Sequence, residues 1–222
     1  MGITNRILFA AMLGLITAGC GATGIAAHPT PSTIASALTF ADLRNRPLNL
    51  PSLAAGATCP ADQSHDVHAV VTVGKGGPSF GFGPGPAYLS GIVQLYPGAF
   101  DNEIWMVDAS YRGAVLVRGH EVNGTQVISF DEPTNPSGGP LIGAVAPPDP
   151  ALINLTIQGK QFPFYSELDL PAADASYPKG SWRLFFDSTH IALPGCYAFQ
   201  VDGLTFSTVI VIRVPDAARP GG

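Results

Sequence analysis

The sequence predicts an all-β protein built as a single antiparallel β-sandwich. About nine short segments are β-branched or alternate between apolar and polar residues, a pattern typical of strands. The 26 glycines and 21 prolines are spread along the chain, where they supply turns. Strand and helix patterns do not alternate, so a parallel sheet with crossover helices is not expected. With 222 residues, 46% of them hydrophobic, the chain is able to bury one sandwich core.

Residues 1–19 are predicted to be a signal peptide. The apolar stretch Ile7–Ala18 follows a single positive residue, Arg6. It has the length of a signal-peptide core and is too short to span a bilayer. The following Ala18-Gly19-Cys20 resembles the lipobox of bacterial lipoproteins, in which small residues precede a cysteine that is acylated and becomes the mature N-terminus. The resemblance implies lipidation of Cys20 and a place at the extracytoplasmic membrane surface of the cell envelope. Ordinary secretion, with cleavage near Ala27, is the alternative.

Residues 20–57 are predicted to be a lipid-anchored spacer. The segment is rich in Ala, Pro, Ser and Thr, a composition typical of flexible spacers. From about Asp42 onward, however, we expect it to lie along the domain as an extended strip. The side chains predicted to anchor this strip are Leu48, Leu50 and Leu53.

The folded domain is predicted over residues 58–216. Its predicted strands are His65–Val73, Tyr88–Tyr96, Glu103–Asp108, Ala114–Val122, Thr125–Asp131, Leu141–Ala146, Leu152–Gln158 and Trp182–Phe186, followed by a hairpin within Leu193–Val214. The Pro-rich stretch Phe162–Lys179 is expected to be irregular.

The dipeptide Asn123-Gly124 predicts a two-residue hairpin turn. Because side chains alternate along a strand, this turn assigns the residues on either side of it to two faces. The buried face consists of Val115, Val117, Ile128 and Phe130. The other face carries Arg118, His120 and Ser129, and is expected to be an exposed sheet face or a recognition patch.

Asp202-Gly203 predicts a second two-residue turn, in the last hairpin. This turn would place Phe199 directly opposite Phe206. The face that it buries consists of Tyr197, Phe199, Val201, Ile210 and Ile212. The opposite face, with Cys196, Ala198 and Gln200, is mostly small or polar.

The turn into this hairpin, Pro194-Gly195-Cys196-Tyr197, resembles the turn into a late strand of many immunoglobulin-like domains, where a glycine precedes a buried tyrosine. The resemblance covers about twenty residues and implies an immunoglobulin-like sandwich. It implies nothing about function, because many unrelated functions share this fold.

Cys59 and Cys196 are expected to form a disulfide. The chain has three cysteines, and lipidation or signal removal takes Cys20 out of the count. An even pair then remains in an oxidising compartment. The predicted position of the bridge is the outer side or rim of the last strand pair. The alternative is two unrelated cysteines that pack as small buried residues.

The motifs that could carry chemistry are weak. Gly77-Pro78-Ser79-Phe80-Gly81 has the G-x-S-x-G pattern, but a Gly/Pro run follows where a nucleophile elbow needs a helix. His65 and His68 would point to opposite faces of one strand. Asp101-Asn102-Glu103 is more typical of a solvated turn than of a calcium site. We therefore predict no catalytic residues, no cofactor and no metal site.

The formal net charge of −5 provides no basic field for nucleic acid. The predicted partners are the membrane, through the lipid anchor, and an envelope protein or extracellular ligand. The predicted function is a non-catalytic, envelope-anchored lipoprotein with a binding or structural module. The alternative is an extracellular hydrolase or its accessory domain. Two carboxylates converging in a cleft would favour the hydrolase, and a flat exposed aromatic patch would favour the binding module.

Overall fold

In a computed structural model of the chain, the described residues are 39–67, 80–91, 100–131, 152–157, 159–174 and 177–216. They contain one short helix, α1 (Phe40–Arg44). The strands are β1 (His65–Asp66), β2 (Phe80–Gly81), β3 (Ala87–Gly91), β4 (Phe100–Val107), β5 (Val115–Glu121), β6 (Ser129–Phe130), β7 (Leu152–Ile157), β8 (Lys160–Tyr165), β9 (Glu167–Leu170), β10 (Arg183–His190), β11 (Gly195–Gly203) and β12 (Ser207–Val214). Within these ranges, no helix has the length and apolar character that a membrane crossing requires.

The strands form two packed sheets and a small accessory ladder. The first sheet has six strands in the order β3-β4-β10-β6-β8-β7, and the second has four in the order β12-β11-β5-β9. A separate two-stranded ladder joins β1 to β2. Every pairing between these strands is antiparallel. The predicted all-β antiparallel sandwich is confirmed.

Most of the predicted strands that fall on described residues are present, but one stretch was predicted incorrectly. The stretch Phe162–Lys179 was expected to be irregular, yet it contains most of β8 and all of β9. Pro163 pairs with Asn154 of β7, and β6 pairs with β8 only at Tyr165, so Pro163 has a ladder partner on one side only. The predicted strand Leu141–Ala146 lies outside the described residues.

Aromatic rings from both sheets meet in the core. The rings of Trp105 and Phe199 pack edge to face, with centroids 5.7 Å apart. Phe130 lies 6.1 Å from the same Phe199 ring. The core cluster is completed by residues of both sheets, among them Leu89, Val117, Leu168, Leu170, Phe185, Val201 and Ile210. Burying each large apolar side chain stabilises the fold by about 1.5–3 kcal/mol.

The Asn123-Gly124 hairpin has the predicted register, since His120 pairs with Val127. Beyond Ile128 the chain leaves this ladder and crosses to the other sheet as β6, where Ser129 pairs with His190. The predicted buried residues are indeed buried. The expectation that Ser129 shares a face with Arg118 is wrong, because the two residues belong to different sheets.

The last hairpin has the predicted buried face but a different register. Phe199 lies opposite Ile210, not Phe206. The physical reason is that β11 continues through Asp202 and Gly203, which pair with β5. The turn therefore moves to Leu204 and Thr205, and is closed by a hydrogen bond from Gly203 N to Phe206 O at 3.0 Å.

A tyrosine hydrogen bond supports the immunoglobulin-like resemblance. Tyr197, near the start of β11, is fully buried. Its hydroxyl donates to the carbonyl oxygen of Leu193 at 2.9 Å. A tyrosine at the start of a late strand that bonds back to the preceding turn is a hallmark of immunoglobulin-like sandwiches.

Residues 39–58, here called the strap, cover the outer face of the four-stranded sheet. Leu43 of α1 is fully buried against β5. Leu50 and Leu53 pack on that sheet as predicted, whereas Leu48 is 42% exposed and is not an anchor.

Candidate functional site

The predicted disulfide joins Cys59 to Cys196, whose Cα atoms are 5.5 Å apart. Both cysteines pack with Val122, Ala198 and Val211 on the outer side of the four-stranded sheet. The bridge therefore fastens the end of the strap to the outside of the sandwich, as the sequence predicted, and does not cross the core.

Those of the other candidate residues that the structure describes form no common site. Cys20 and His68 lie outside the described residues. His65 is exposed on β1. Within the G-x-S-x-G motif, only Phe80 and Gly81 are described, and they form a strand. Among the residues that the structure describes, no group of three His, Cys, Asp or Glu side chains could hold a metal ion.

The expected solvated turn at Asp101-Asn102-Glu103 is wrong, because these residues belong to β4. Glu103 is buried and lies directly opposite Asp187 of β10. Both share the inward face of their strands with the core residues Trp105 and Phe185. Two carboxyl groups therefore meet inside the sandwich.

Burial raises the pKa of Asp187 to about 8. A hydrogen bond from Thr189 Oγ1 to Asp187 Oδ2, 2.9 Å long, acts in the opposite direction, while the charge of Asp131 raises the pKa further. Asp187 is therefore mostly protonated at neutral pH. An interior carboxyl of this kind affects stability and is not open to a substrate.

A second acidic pair lies beneath the strap. Glu167 and Asp169, both on β9, accept hydrogen bonds from the guanidinium of Arg44. Burial raises the pKa of Asp169 to about 6, against the opposing effect of the Arg44 charge. These carboxylates converge, as a hydrolase would require, but they converge on an arginine of the same chain.

A polar network lies next to this acidic pair, on the outer face of the four-stranded sheet beneath the strap. Asp202 is fully buried, and its Oδ2 accepts a hydrogen bond from Arg118 at 2.8 Å. Arg46 of the strap lies 3.7 Å from Asp202 Oδ1. Arg118, predicted to lie on an exposed sheet face or recognition patch, is instead covered and paired, and its Nη1 also donates to Arg46 O at 3.0 Å.

An open cleft of about 410 Å³ lies beside the disulfide, lined by Leu53, Thr58, Pro194, Arg213, Asp216 and neighbouring residues. Its volume is in the range of small-ligand sites. The charged side chains Arg213 and Asp216 are exposed. The cleft thus has the size of a binding site without a buried polar group that would define its ligand.

Three aromatic side chains lie together on the outer face of the six-stranded sheet. We call His65, Tyr88 and Trp182 the aromatic surface. The rings of Tyr88 and Trp182 are 6.0 Å apart with their planes tilted by 39°. The His65 ring stands edge-on to Tyr88 at 5.9 Å. His65 is exposed and the other two are partly exposed, so the cluster offers ring surface to a ligand.

The surroundings of Tyr88 are both apolar and acidic. Tyr88 is in register with Met106, and Met106 with Leu184, so an apolar row crosses the sheet beside the cluster. Burial and the charge of Asp108 both raise the pKa of the Tyr88 hydroxyl. Asp108 Oδ1 is held by the backbone and hydroxyl of Ser110, at 2.7 and 2.6 Å. A hydroxyl and a fixed carboxylate therefore border the rings.

Sequence reasoning did not single out this cluster. Tyr88 was recognised as part of a strand, and Trp182 as the start of another. Their meeting depends on β4, which pairs with both β3 and β10. No local pattern in the sequence indicates that pairing.

No protein-family model matches this chain, and no curated protein matches it.

Proposed function

We propose that the protein is a non-catalytic, lipid-anchored binding module of the cell envelope, with the aromatic surface as its binding site. The observation that carries the proposal is the contact between the partly exposed rings of Tyr88 and Trp182, beside the exposed ring of His65. Partly exposed aromatic side chains that touch one another on a rigid sheet are suited to recognition, because binding them costs little side-chain entropy.

The ligand class that best fits this surface is a saccharide. A sugar ring presents a face of C–H groups, which carry partial positive charge, and a rim of hydroxyls. The C–H face is attracted to the negative face of an aromatic ring. The hydroxyls can bond to the Tyr88 hydroxyl, to the His65 imidazole and to the carboxylate of Asp108. Polar groups placed at the border of an apolar surface are what fixes the orientation of a small ligand.

The hydrolase alternative has less support among the described carboxyl groups. Glu103 and Asp187 lie inside the sandwich. Glu167 and Asp169 are engaged by Arg44 under the strap. A hydrolytic pair has to face a substrate and a water molecule, which neither pair does.

Trp182 provides a direct test of the proposed site. The chain has two tryptophans, and Trp105 is fully buried, so a ligand at the aromatic surface should change the emission of Trp182 alone. We expect soluble polysaccharide from the envelope of the host to shift this emission saturably. The binding of variants is then compared by electrophoresis through gels that contain the same polysaccharide, because a protein that binds it migrates more slowly.

We expect Trp182→Ala and Tyr88→Ala each to weaken retardation about tenfold or more, since an aromatic contact contributes up to about 1.5 kcal/mol beyond its area. Phe80→Ala is the matched control, because Phe80 is 50% exposed on β2 but belongs to none of the observed ring contacts of the cluster. Equal retardation of all three variants, or no emission change with any envelope polysaccharide, would contradict the proposal.

A further inference from the structure

Asp108 lies between the strands that supply the rings of the aromatic surface. It directly follows the last residue of β4, which runs between β3 and β10. When the register of these strands is extended by one position, Asp108 has Pro86 on one side and Trp182 on the other. Its N–H donates to Pro86 O at 2.8 Å. Because side chains alternate along a strand, Asp108 shares a face of β4 with Met106, which is in register with Tyr88.

The Asp108 carboxylate is fixed through one oxygen and can accept hydrogen bonds at the other. Its Oδ1 accepts hydrogen bonds from Ser110 N at 2.7 Å and from Ser110 Oγ at 2.6 Å. Among the residues that the structure describes, no donor is bonded to Oδ2. A carboxylate has about four acceptor positions, shared between its two oxygens. Since Asp108 is partly exposed, the positions on Oδ2 can serve a ligand.

The charge of Asp108 is not balanced by a cation of the described part of the chain. Neither arginine nor lysine forms an ion pair with it there. Arg112 and Arg183, which follow Asp108 and Trp182 in the sequence, donate instead to backbone carbonyl oxygens, at 3.0 and 2.8 Å. Burial and the charge of Asp108 raise the pKa of the Tyr88 hydroxyl. The negative charge of Asp108 therefore acts on the aromatic surface.

An ammonium group suits both the rings and this carboxylate. A cation within about 6 Å of the centre of a Tyr or Trp ring is attracted to the ring face. An ammonium group also donates up to three hydrogen bonds, which are strong when the acceptor is a carboxylate. The apolar row of Met106 and Leu184 beside the cluster lowers the local dielectric constant, which strengthens these attractions. A neutral hydroxyl in the same place gains neither attraction between charges.

We propose that Asp108 makes the aromatic surface selective for saccharides that carry a free amino group. The proposal rests on the proposed function, because it takes the aromatic surface to be a saccharide site. The protonated amino group donates to Asp108 Oδ2, while the C–H face of the sugar packs on Tyr88 and Trp182. Acetylation of the amino group removes its charge and should therefore remove the preference.

Three trisaccharides with the same linkage separate the effect of charge from that of shape. They are built from glucose, glucosamine and N-acetylglucosamine, which carry a hydroxyl, an amino and an acetamido group at the same ring carbon. Titration of the full chain at pH 6, where the sugar amine is largely protonated, is followed by the emission of Trp182. We expect the glucosamine trisaccharide to bind about tenfold more tightly than the other two, since a charge-assisted hydrogen bond and a cation–π contact act together.

The variant Asp108→Asn tests the role of the carboxylate. It keeps the shape of the side chain, and its amide oxygen can still accept from Ser110. We expect this variant to bind the glucose trisaccharide as the natural chain does and to lose the preference for glucosamine. Asp216→Asn is the matched control, because it removes the same charge from an exposed residue in the cleft beside the disulfide. It should keep the full preference.

Equal binding of the glucosamine and glucose trisaccharides by the natural chain, or an unchanged preference in Asp108→Asn, would overturn the role of Asp108. Loss of the preference in Asp216→Asn as well would also overturn it, by showing that the overall negative charge of the chain attracts the amine. In these cases the aromatic surface would remain a saccharide site. If neither the trisaccharides nor envelope polysaccharide changed the emission of Trp182, the proposed function would fail together with the selectivity.

Discussion

The carboxyl of Asp187 should make the protein less stable as pH rises. In the folded chain its pKa is raised to about 8 from an ordinary value of 3.8, chiefly by burial. Between these two values the folded state holds a proton that the unfolded state has lost. The contribution of Asp187 to the free energy of unfolding is therefore fully present below about pH 4, and it is lost as pH rises toward 8. Asp187→Asn replaces the acid by a neutral side chain of the same shape and should remove this loss.

The size of the effect follows from one proton. Stability linked to a single titrating group changes by at most about 1.4 kcal/mol per pH unit. The gain in stability of Asp187→Asn over the natural chain should therefore grow by about 3 kcal/mol between pH 5 and pH 7. Above pH 8 the difference should become constant, since Asp187 is then ionised in both states.

Urea unfolding followed by tryptophan fluorescence, at pH 5, 6, 7 and 8, measures this difference. The control is Asp216→Asn, which removes an exposed carboxylate and should give a difference that is small at every pH. The reasoning is refuted if the difference between Asp187→Asn and the natural chain is the same at pH 5 and pH 7.

Two further predictions concern the core and the anchor. Phe199→Ala should cost about 3–5 kcal/mol, because its ring is fully buried, whereas Phe206→Ala should cost distinctly less because its ring is only partly buried against Tyr111; equal losses in urea unfolding would argue against the observed register. Cys20→Ser should abolish incorporation of radiolabelled palmitate in the native host, as the lipobox-like Ala18-Gly19-Cys20 implies, and undiminished labelling would show that Cys20 is not the acylated residue.

Patterns within short stretches of this chain correctly predict which side chains are buried. The alternation in β11 and β12 identified Tyr197, Phe199 and Ile210 as buried, and all three are. Alternation is a property of the strand itself, so it holds whichever strand lies alongside. The disulfide was also predictable, because counting cysteines requires no knowledge of the fold.

Errors arose where a distant contact overrides a local preference. Asp202-Gly203 has the strongest local preference for a tight turn. In the fold, Arg118 of β5 binds the Asp202 carboxylate and β5 pairs with both residues, so the dipeptide is held in a strand. Nothing within the hairpin reveals that arginine, which precedes it by 84 positions.

Features that depend on neighbouring residues could be predicted from the sequence, and features that depend on contacts between distant parts of the chain could not. From the sequence alone came the all-β sandwich, the buried faces of its main strands and the Cys59–Cys196 bridge, because strand periodicity and cysteine pairing can be read locally. Only the tertiary structure decided what covers each outer face. It placed the strap over one sheet and brought Tyr88 next to Trp182 on the other. Such contacts depend on strand order and register, and these are set by the packing of the whole domain.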